Sequence, residues 1–150
     1  MSDREQPWSD AGTEPGRVLV LSDNPIARAI VAIGTAAGRD VQVQASDDCG
    51  PGLEPCAGDA VVLCDHDAPD APRVLRAALA SQASYVAMMA SRGRAAGLIE
   101  ELRNEGVDVA RLHAPAGHDL GGKRPGEIAL SVVAEIVAES YDRPGGPMRG

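Results

Sequence analysis

Three short segments concentrate the side chains able to do chemistry. Cys64 to Asp67, CDHD, brings together a thiol, the His66 imidazole and two carboxylates. Met89 to Arg94, MASRGR, sets Ser91 beside Arg92 and Arg94. His113 to Arg124, HAPAGHDLGGKR, carries two histidines, Asp119, two basic residues and the glycines Gly117, Gly121 and Gly122. A serine at the head of a helical pattern with two arginines makes a basic helix N-terminus, which suits a phosphate or carboxylate. The plainer reading is a capped helix with a solvated first turn, and it has equal weight. Asp65, His66 and Asp67 suit acid/base or metal chemistry. His113 and His118 add no recognisable ligand spacing, so a polar loop capping the next helix is the commoner meaning. Glycine at this density in the last segment permits close backbone approach to a ligand or to a neighbouring element. No nucleophile elbow surrounds any serine or cysteine, so covalent catalysis has no support. The chain reads more readily as a binding protein than as an enzyme.

The segments need elements to hold them, and the first such element raises its own question. VLVLSDNPIARAI, Val18 to Ile30, runs from an apolar strand through a short turn into a helix. A dinucleotide-binding turn there would read G-x-G-x-x-G or G-x-G-x-x-A. Ser22 and Asn24 stand where the first two glycines belong. Asn24 eases such a turn, since asparagine tolerates left-handed backbone. Asp23 brings a carboxylate toward the space of a diphosphate and itself suits the helix dipole. The second strand ends in Ala45 and Ser46 instead of the acid that would hold a ribose; Asp47 or Asp48 would serve only if the loop bends back. Ordinary NAD binding is therefore disfavoured.

The whole chain alternates strand and helix patterns. Arg17–Leu21, Val41–Ala45, Ala60–Cys64, Tyr85–Ala90 and Val109–Leu112 read as strands. Pro25–Ala37, Ala71–Ser81, Arg92–Asn104 and Pro125–Tyr141 read as helices, the first capped by Asn24 and the third by Ser91. Such a series predicts an α/β fold: a doubly wound, Rossmann-like parallel sheet with helices on both faces and its site at the carboxyl ends of the strands. One domain is expected over residues 17–141, between flexible tails at 1–16 and 142–150. The core is expected to be aliphatic, because 150 residues contain no Phe, two Tyr and one Trp. Scarce aromatics and a formal charge of −8 oppose nucleic-acid and anionic-membrane partners. No signal-peptide pattern and no spanning run occur, so a cytoplasmic place is expected. Cys49 and Cys56 read as loop thiols, with pairing or metal binding the lesser option, and Cys64 as a small core residue.

Taken in order, VVLCDHD, YVAMMASRGR and HAPAGHDLGGKRPGEIALSVVAEIVA resemble the C-terminal Rossmann domain of the XdhC/CoxI family. The likeness covers nearly all of the chain between its tails. His66 and Asp67 match the family's Thr-His-Asp, with Asp65 in place of Thr, and Asp70 matches an acid before the next helix. Ser91 and Arg92 match its Gly-Ser-Arg, with Ala90 replacing Gly and Ala87 replacing an earlier Gly. His113, Pro115, Gly117, Asp119 and Gly121 match the last loop, where His118 replaces the usual Leu. Pro125, Glu127, Ile128 and Ala129 match the last helix; Arg124 replaces a capping Thr and Gly126 a Glu. Of the family's first turn, Gly-Ala-Gly-Pro-Val-Ala, this sequence keeps Pro25, a branched apolar Ile26 and Ala27. The family's N-terminal domain has no counterpart here.

The resemblance implies an accessory role in maturing a molybdenum hydroxylase of the xanthine dehydrogenase or carbon monoxide dehydrogenase type. The cofactor implied is the molybdenum cofactor, an anionic pterin, or a nucleotide. Its binding residues by this likeness are Ser91, Arg92, Arg94, His66, His113, Gly117, Asp119 and Gly121. The implied partner is the hydroxylase or an XdhC-type chain, with a homo-oligomer as a further option. Two alternatives stay open: a degenerate Rossmann interaction module without a small ligand, and, less favoured, an NAD-dependent oxidoreductase.

Overall fold

Nine elements alternate as the sequence pattern requires, in a computed structural model that describes residues 15–44, 55–65, 67 and 70–149. They are β1 (Val18–Leu21), α1 (Pro25–Ala36), β2 (Val41–Gln44), β3 (Ala60–Leu63), α2 (Ala71–Ala80), β4 (Tyr85–Met88), α3 (Arg92–Asn104), β5 (Leu112–His113) and α4 (Pro125–Ser140). The five strands form one parallel sheet in the order β2-β1-β3-β4-β5. The fold is the doubly wound α/β architecture expected. Right-handed crossovers explain its layers. The chain moves one way along the sheet from β1 to β2 and the other way from β3 to β5. Helices α1 and α4 therefore cover one face, and α2 and α3 the other.

Side-chain alternation divides the core accordingly. Val18, Val20, Ala60, Val62, Tyr85 and Ala87 face Ile30 of α1 and Ala129, Val132 and Ile136 of α4. Leu19, Leu21, Val61, Leu63, Val86 and Met88 face Val74, Leu75 and Leu79 of α2 and Leu102 of α3. All of β1, β3 and β4 is buried, so these central strands read as unbroken apolar runs. Edge strand β2 is half-exposed and alternates Val with Gln. Cys64 is buried as expected, and desolvation, with Asp65 nearby, pushes its thiol up to about 12. Among the described residues no helix is long and apolar enough to cross a membrane.

The fifth strand lies further along than its pattern suggested. Asp108 Oδ1 accepts from the Ala110 amide at 3.0 Å, and the Leu112 amide donates to the Val109 carbonyl at 3.0 Å. This local turn consumes residues 109–111 and leaves Leu112–His113 to pair with Val86 and Ala87. Arg111 profits from the turn: its guanidinium reaches the carbonyls of Leu79, Ser81 and Ala83 where α2 ends. Residues 142–149 carry no helix or strand, while Cys49 and the expected strand end at Ala45 lie outside the described residues.

At the amino edge, Asp59 ties β3 to the start of β1. Its carboxylate accepts from the Arg17 amide at 2.8 Å, Arg17 Nε at 3.1 Å and Nη2 at 2.6 Å, and the Cys56 amide at 2.8 Å. Gly16 has to be glycine here, because a Cβ would collide with the Gly58 carbonyl. Burial opposes the charge on Asp59, but its donors outweigh burial and hold the carboxyl below 3.8. A depressed acid stabilises above its unfolded pKa and ceases to as pH falls through the folded one. Asp59→Ala is expected to cost about 2 kcal/mol at pH 7. Denaturant unfolding should show that difference shrinking below pH 3.8.

Candidate functional site

In a 2-1-3-4-5 sheet the strand order reverses between β1 and β3, and ligands bind at the carboxyl ends beside that point. The turn after β1 fills the reversal with its own side chain. Asn24 Oδ1 accepts from the Ala27 amide at 2.9 Å, while its Nδ2 donates to the Cys64 carbonyl at 3.1 Å across the gap. Asn24 is extended, at φ −148°, so it is not the residue that bends left-handed. Ser22 does so instead, at φ +81°, where a dinucleotide turn has its first glycine. Pro25 has no amide hydrogen, Ala27 is capped, and the Arg28 amide donates to Asn24 O at 3.0 Å. Of this first turn's amides, only that of Ile26 has no acceptor among the described residues. Asp23 pairs with Arg28 Nε at 3.1 Å on the open side. The arrangement is a poor diphosphate cradle.

The start of α3 is different. Ser91 Oγ accepts from the Arg94 amide at 3.2 Å, and the Ala95 amide donates to the Ser91 carbonyl at 2.9 Å. Among the described residues the amides of Arg92 and Gly93 have no acceptor, and a Cβ built on Gly93 would meet nothing within 4 Å. Two cationic side chains flank this open turn. Arg92 Nη2 lies 3.9 Å from Asp119 of the last loop, and Arg94 Nη2 lies 3.4 Å from Asp67 after β3. Both contacts are exposed, Arg92 at 87%, and exposed pairs of this kind hold weakly. Either guanidinium can leave its acid for a stronger anion. The structure thus brings Ser91, Arg92, Arg94 and Asp119 together, with Asp67 beside them. His66 lies outside the described residues.

His113 and Gly117 belong to the support beneath the last loop. The His113 ring stacks on Tyr85, with centroids 4.5 Å apart, and its Nδ1 is 3.3 Å from Glu135 Oε2 of α4. Glu135 Oε1 accepts from Tyr85 Oη at 2.6 Å and from the Gly117 amide at 2.9 Å. Gly117, at φ +99°, leaves no room for a Cβ, which would strike Ser131 of α4. Its glycine serves approach to a neighbouring element, not to a ligand. Gly121, at φ +85°, has open space around it, so there the backbone conformation alone demands glycine. The loop's far end is fixed by the Arg124 amide, which donates to Glu127 Oε1 at 3.2 Å and replaces the side-chain cap that arginine cannot give.

Sequence reasoning missed Glu135 and Tyr85. The signal was a carboxylate inside the apolar stripe of α4, between Val132 and Ile136, and a phenol in an otherwise aliphatic strand. Burial alone would raise Glu135, but His113, Tyr85 and Gly117 bond its charged form and hold it down at about 2. The same bond raises His113 above 6.5 against desolvation. Burial, with the bond to Glu135, pushes the Tyr85 phenol up.

The sequence model of the XdhC Rossmann domain matches residues 18–136. An uncharacterized protein of Escherichia coli (strain K12), YqeB, is 41% identical over 68 residues, which is 43% of this chain and 13% of that protein. A solved structure described as a xanthine dehydrogenase from Bacillus halodurans superposes with a TM-score of 0.73 at 18% identity. That likeness is one of fold, over 87% of this chain and 44% of the other. The chain therefore spans less than half the length of either protein.

The Glu135 cluster yields a pH prediction with a definite sign. The raised His113 stabilises fully below about pH 6.5 and loses its contribution as pH rises through its folded value. The depressed Glu135 contributes above 4.5 and is lost as pH falls through about 2. Stability from the pair should be greatest between pH 4.5 and 6.5. Glu135→Gln should lower the His113 pKa, read from its ring proton shifts, and flatten the loss of stability above neutrality. Glu135→Ala should cost about 3 kcal/mol, because it strands the buried Tyr85 phenol and the half-buried Gly117 amide and His113 imidazole. An unchanged His113 titration in Glu135→Gln would break the assignment.

Proposed function

The chain belongs to the XdhC Rossmann-domain family, and on that premise we propose that it serves molybdenum hydroxylase maturation by holding an anionic pterin cofactor or a nucleotide. The observation that carries the reading is the open first turn of α3, with two amides that have no acceptor among the described residues and two detachable arginines. In a chain of formal charge −8, such a cationic island is the feature an anion would be drawn to. The donors present fit the phosphate end of the molybdenum cofactor: Arg92 offers a planar fork, Arg94 a second, and the helix N-terminus its dipole. Ser91 keeps the turn open by capping only the Arg94 amide, and Asp119 releases Arg92 to the ligand. The bound group supplies the metal chemistry used later in the hydroxylase. This chain's residues bind and orient it and catalyse nothing themselves.

The partner in this reading is the hydroxylase, or an XdhC-type chain that takes the ligand onward, and the place of action is the cytoplasm. A second reading, an interaction module without a ligand, is favoured by the first turn alone. There Asn24 occupies the groups that a nucleotide would use. An NAD-dependent oxidoreductase has the least support, for the same reason.

Thermal melting against molybdopterin, CTP, ATP and NAD separates these readings. A ligand at one hundred times its Kd adds about 2.7 kcal/mol, which moves the Tm of a domain this size by several degrees. The expected result is a shift with molybdopterin or one nucleotide that Arg92→Ala removes while the unliganded Tm stays within a degree or so of the parent. A flat panel from folded protein would support the interaction module. A shift retained in Arg92→Ala would remove the proposed anchor.

A further inference from the structure

A cavity lies at the other end of the sheet from the α3 turn. It has a volume of about 440 Å³ and opens between the amino ends of β1, β3 and β4 and the last turn of α4. Volumes of this order hold small organic molecules. Its walls include Arg39, Tyr85, Ile136, Glu139, Ser140 and Tyr141. Doubly wound sheets bind at their carboxyl ends, and strands of four residues separate the two regions by roughly 13 Å. The α3 turn and this cavity are distinct.

Arg39 is the informative residue. It is only 8% exposed, yet among the described residues it has no carboxylate partner. One nitrogen, Nη2, donates to Ser140 Oγ at 3.1 Å, and the guanidinium carbon lies 5.8 Å from the centre of the Tyr141 ring. The nearby Arg17 is neutralised by Asp59, so it does not compete for an incoming anion. A buried guanidinium is normally matched by an anion, because the loss of hydration otherwise costs several kcal/mol. Here no described residue supplies the matching charge, and the space for it is present. Tyr141 gives one flat wall, Val18, Ala60 and Ile136 give an apolar floor, and Glu139 gives an acceptor on the rim.

We propose that this cavity is a second ligand site, in which Arg39 binds the carboxylate or phosphate of a small organic anion with a flat, largely apolar body. The free edge of the guanidinium accepts two oxygens side by side, as planar forks do. The ring of Tyr141 covers the body of the ligand, and Ser140 Oγ fixes the guanidinium plane. Glu139 selects for a ligand that carries an N–H donor away from its anionic end. The site owes nothing to Arg92 and stands whether or not the α3 turn binds a cofactor.

The test is calorimetric titration of the full chain with benzoate, 4-aminobenzoate and phenyl phosphate. Benzoate and phenyl phosphate separate carboxylate from phosphate preference, and 4-aminobenzoate reads the contribution of Glu139. Saturable binding of at least one probe is expected, weakened at least tenfold in Arg39→Met and several-fold in Tyr141→Ala, and unchanged in Arg92→Ala. Arg39→Met should also melt no lower than the parent, since it removes a buried charge without a counterion. Tyr141 is half-exposed at a helix end, so its variant keeps the experiment readable if Arg39→Met does not fold. Binding that both variants leave intact, binding lost in Arg92→Ala, or no binding of any probe to the parent would each overturn the proposal.

Discussion

One carboxylate holds the functional half of this molecule together. Glu135 projects from α4 into a core otherwise built of Val, Ala, Leu and Ile. There it meets the phenol of β4, the imidazole of β5 and the Gly117 amide of the last loop. A lone buried charge would be costly, and three donors from three elements make it tolerable. The same bonds fix where the chain leaves the sheet after His113. The position of Asp119 near Arg92 follows from that exit. The loop is therefore anchored at its root, and Asp119 at its tip is exposed.

The two ends of the sheet are built on contrasting electrostatics. At the carboxyl end, cations are exposed and paired loosely with acids of neighbouring loops, so they can be recruited at little cost. At the amino end, Arg17 is locked to Asp59 by three hydrogen bonds, while Arg39 is buried with no acid beside it among the described residues. Helix α4 touches both regions through Glu135 in its middle and Ser140 at its end.

Much of the architecture was legible in the sequence because the central strands are continuous apolar runs and two of the helices carry clear side-chain caps. Asn24 and Ser91 stand before α1 and α3 as their side chains require, and α3 spans the residues its pattern marked. The fifth strand was misplaced because Val109 and Leu112 have strand character, whereas Asp108 turns the chain between them through a local side-chain bond that hydropathy does not register. The basic turn at Ser91, Arg92 and Arg94 was also legible, since its residues are neighbours in sequence. His113 was harder. A histidine at the head of a glycine-rich loop reads as a ligand contact. Only the fold shows that Tyr85 and Glu135, distant along the chain, already engage its ring. At the first turn the sequence shows only that two glycines are replaced; the fold adds that Asn24 bonds across the strand reversal and that Ser22 takes the left-handed conformation.

The central claim is that anion recognition has moved from the first helix to the third. Amide chemical shifts during titration with pyrophosphate test it most directly, because each helix N-terminus reports through its own unbonded amides. The account predicts saturable shifts at Arg92 and Gly93, with Ile26 unmoved. Shifts centred on Asp23 and Ile26, with α3 silent, would contradict it.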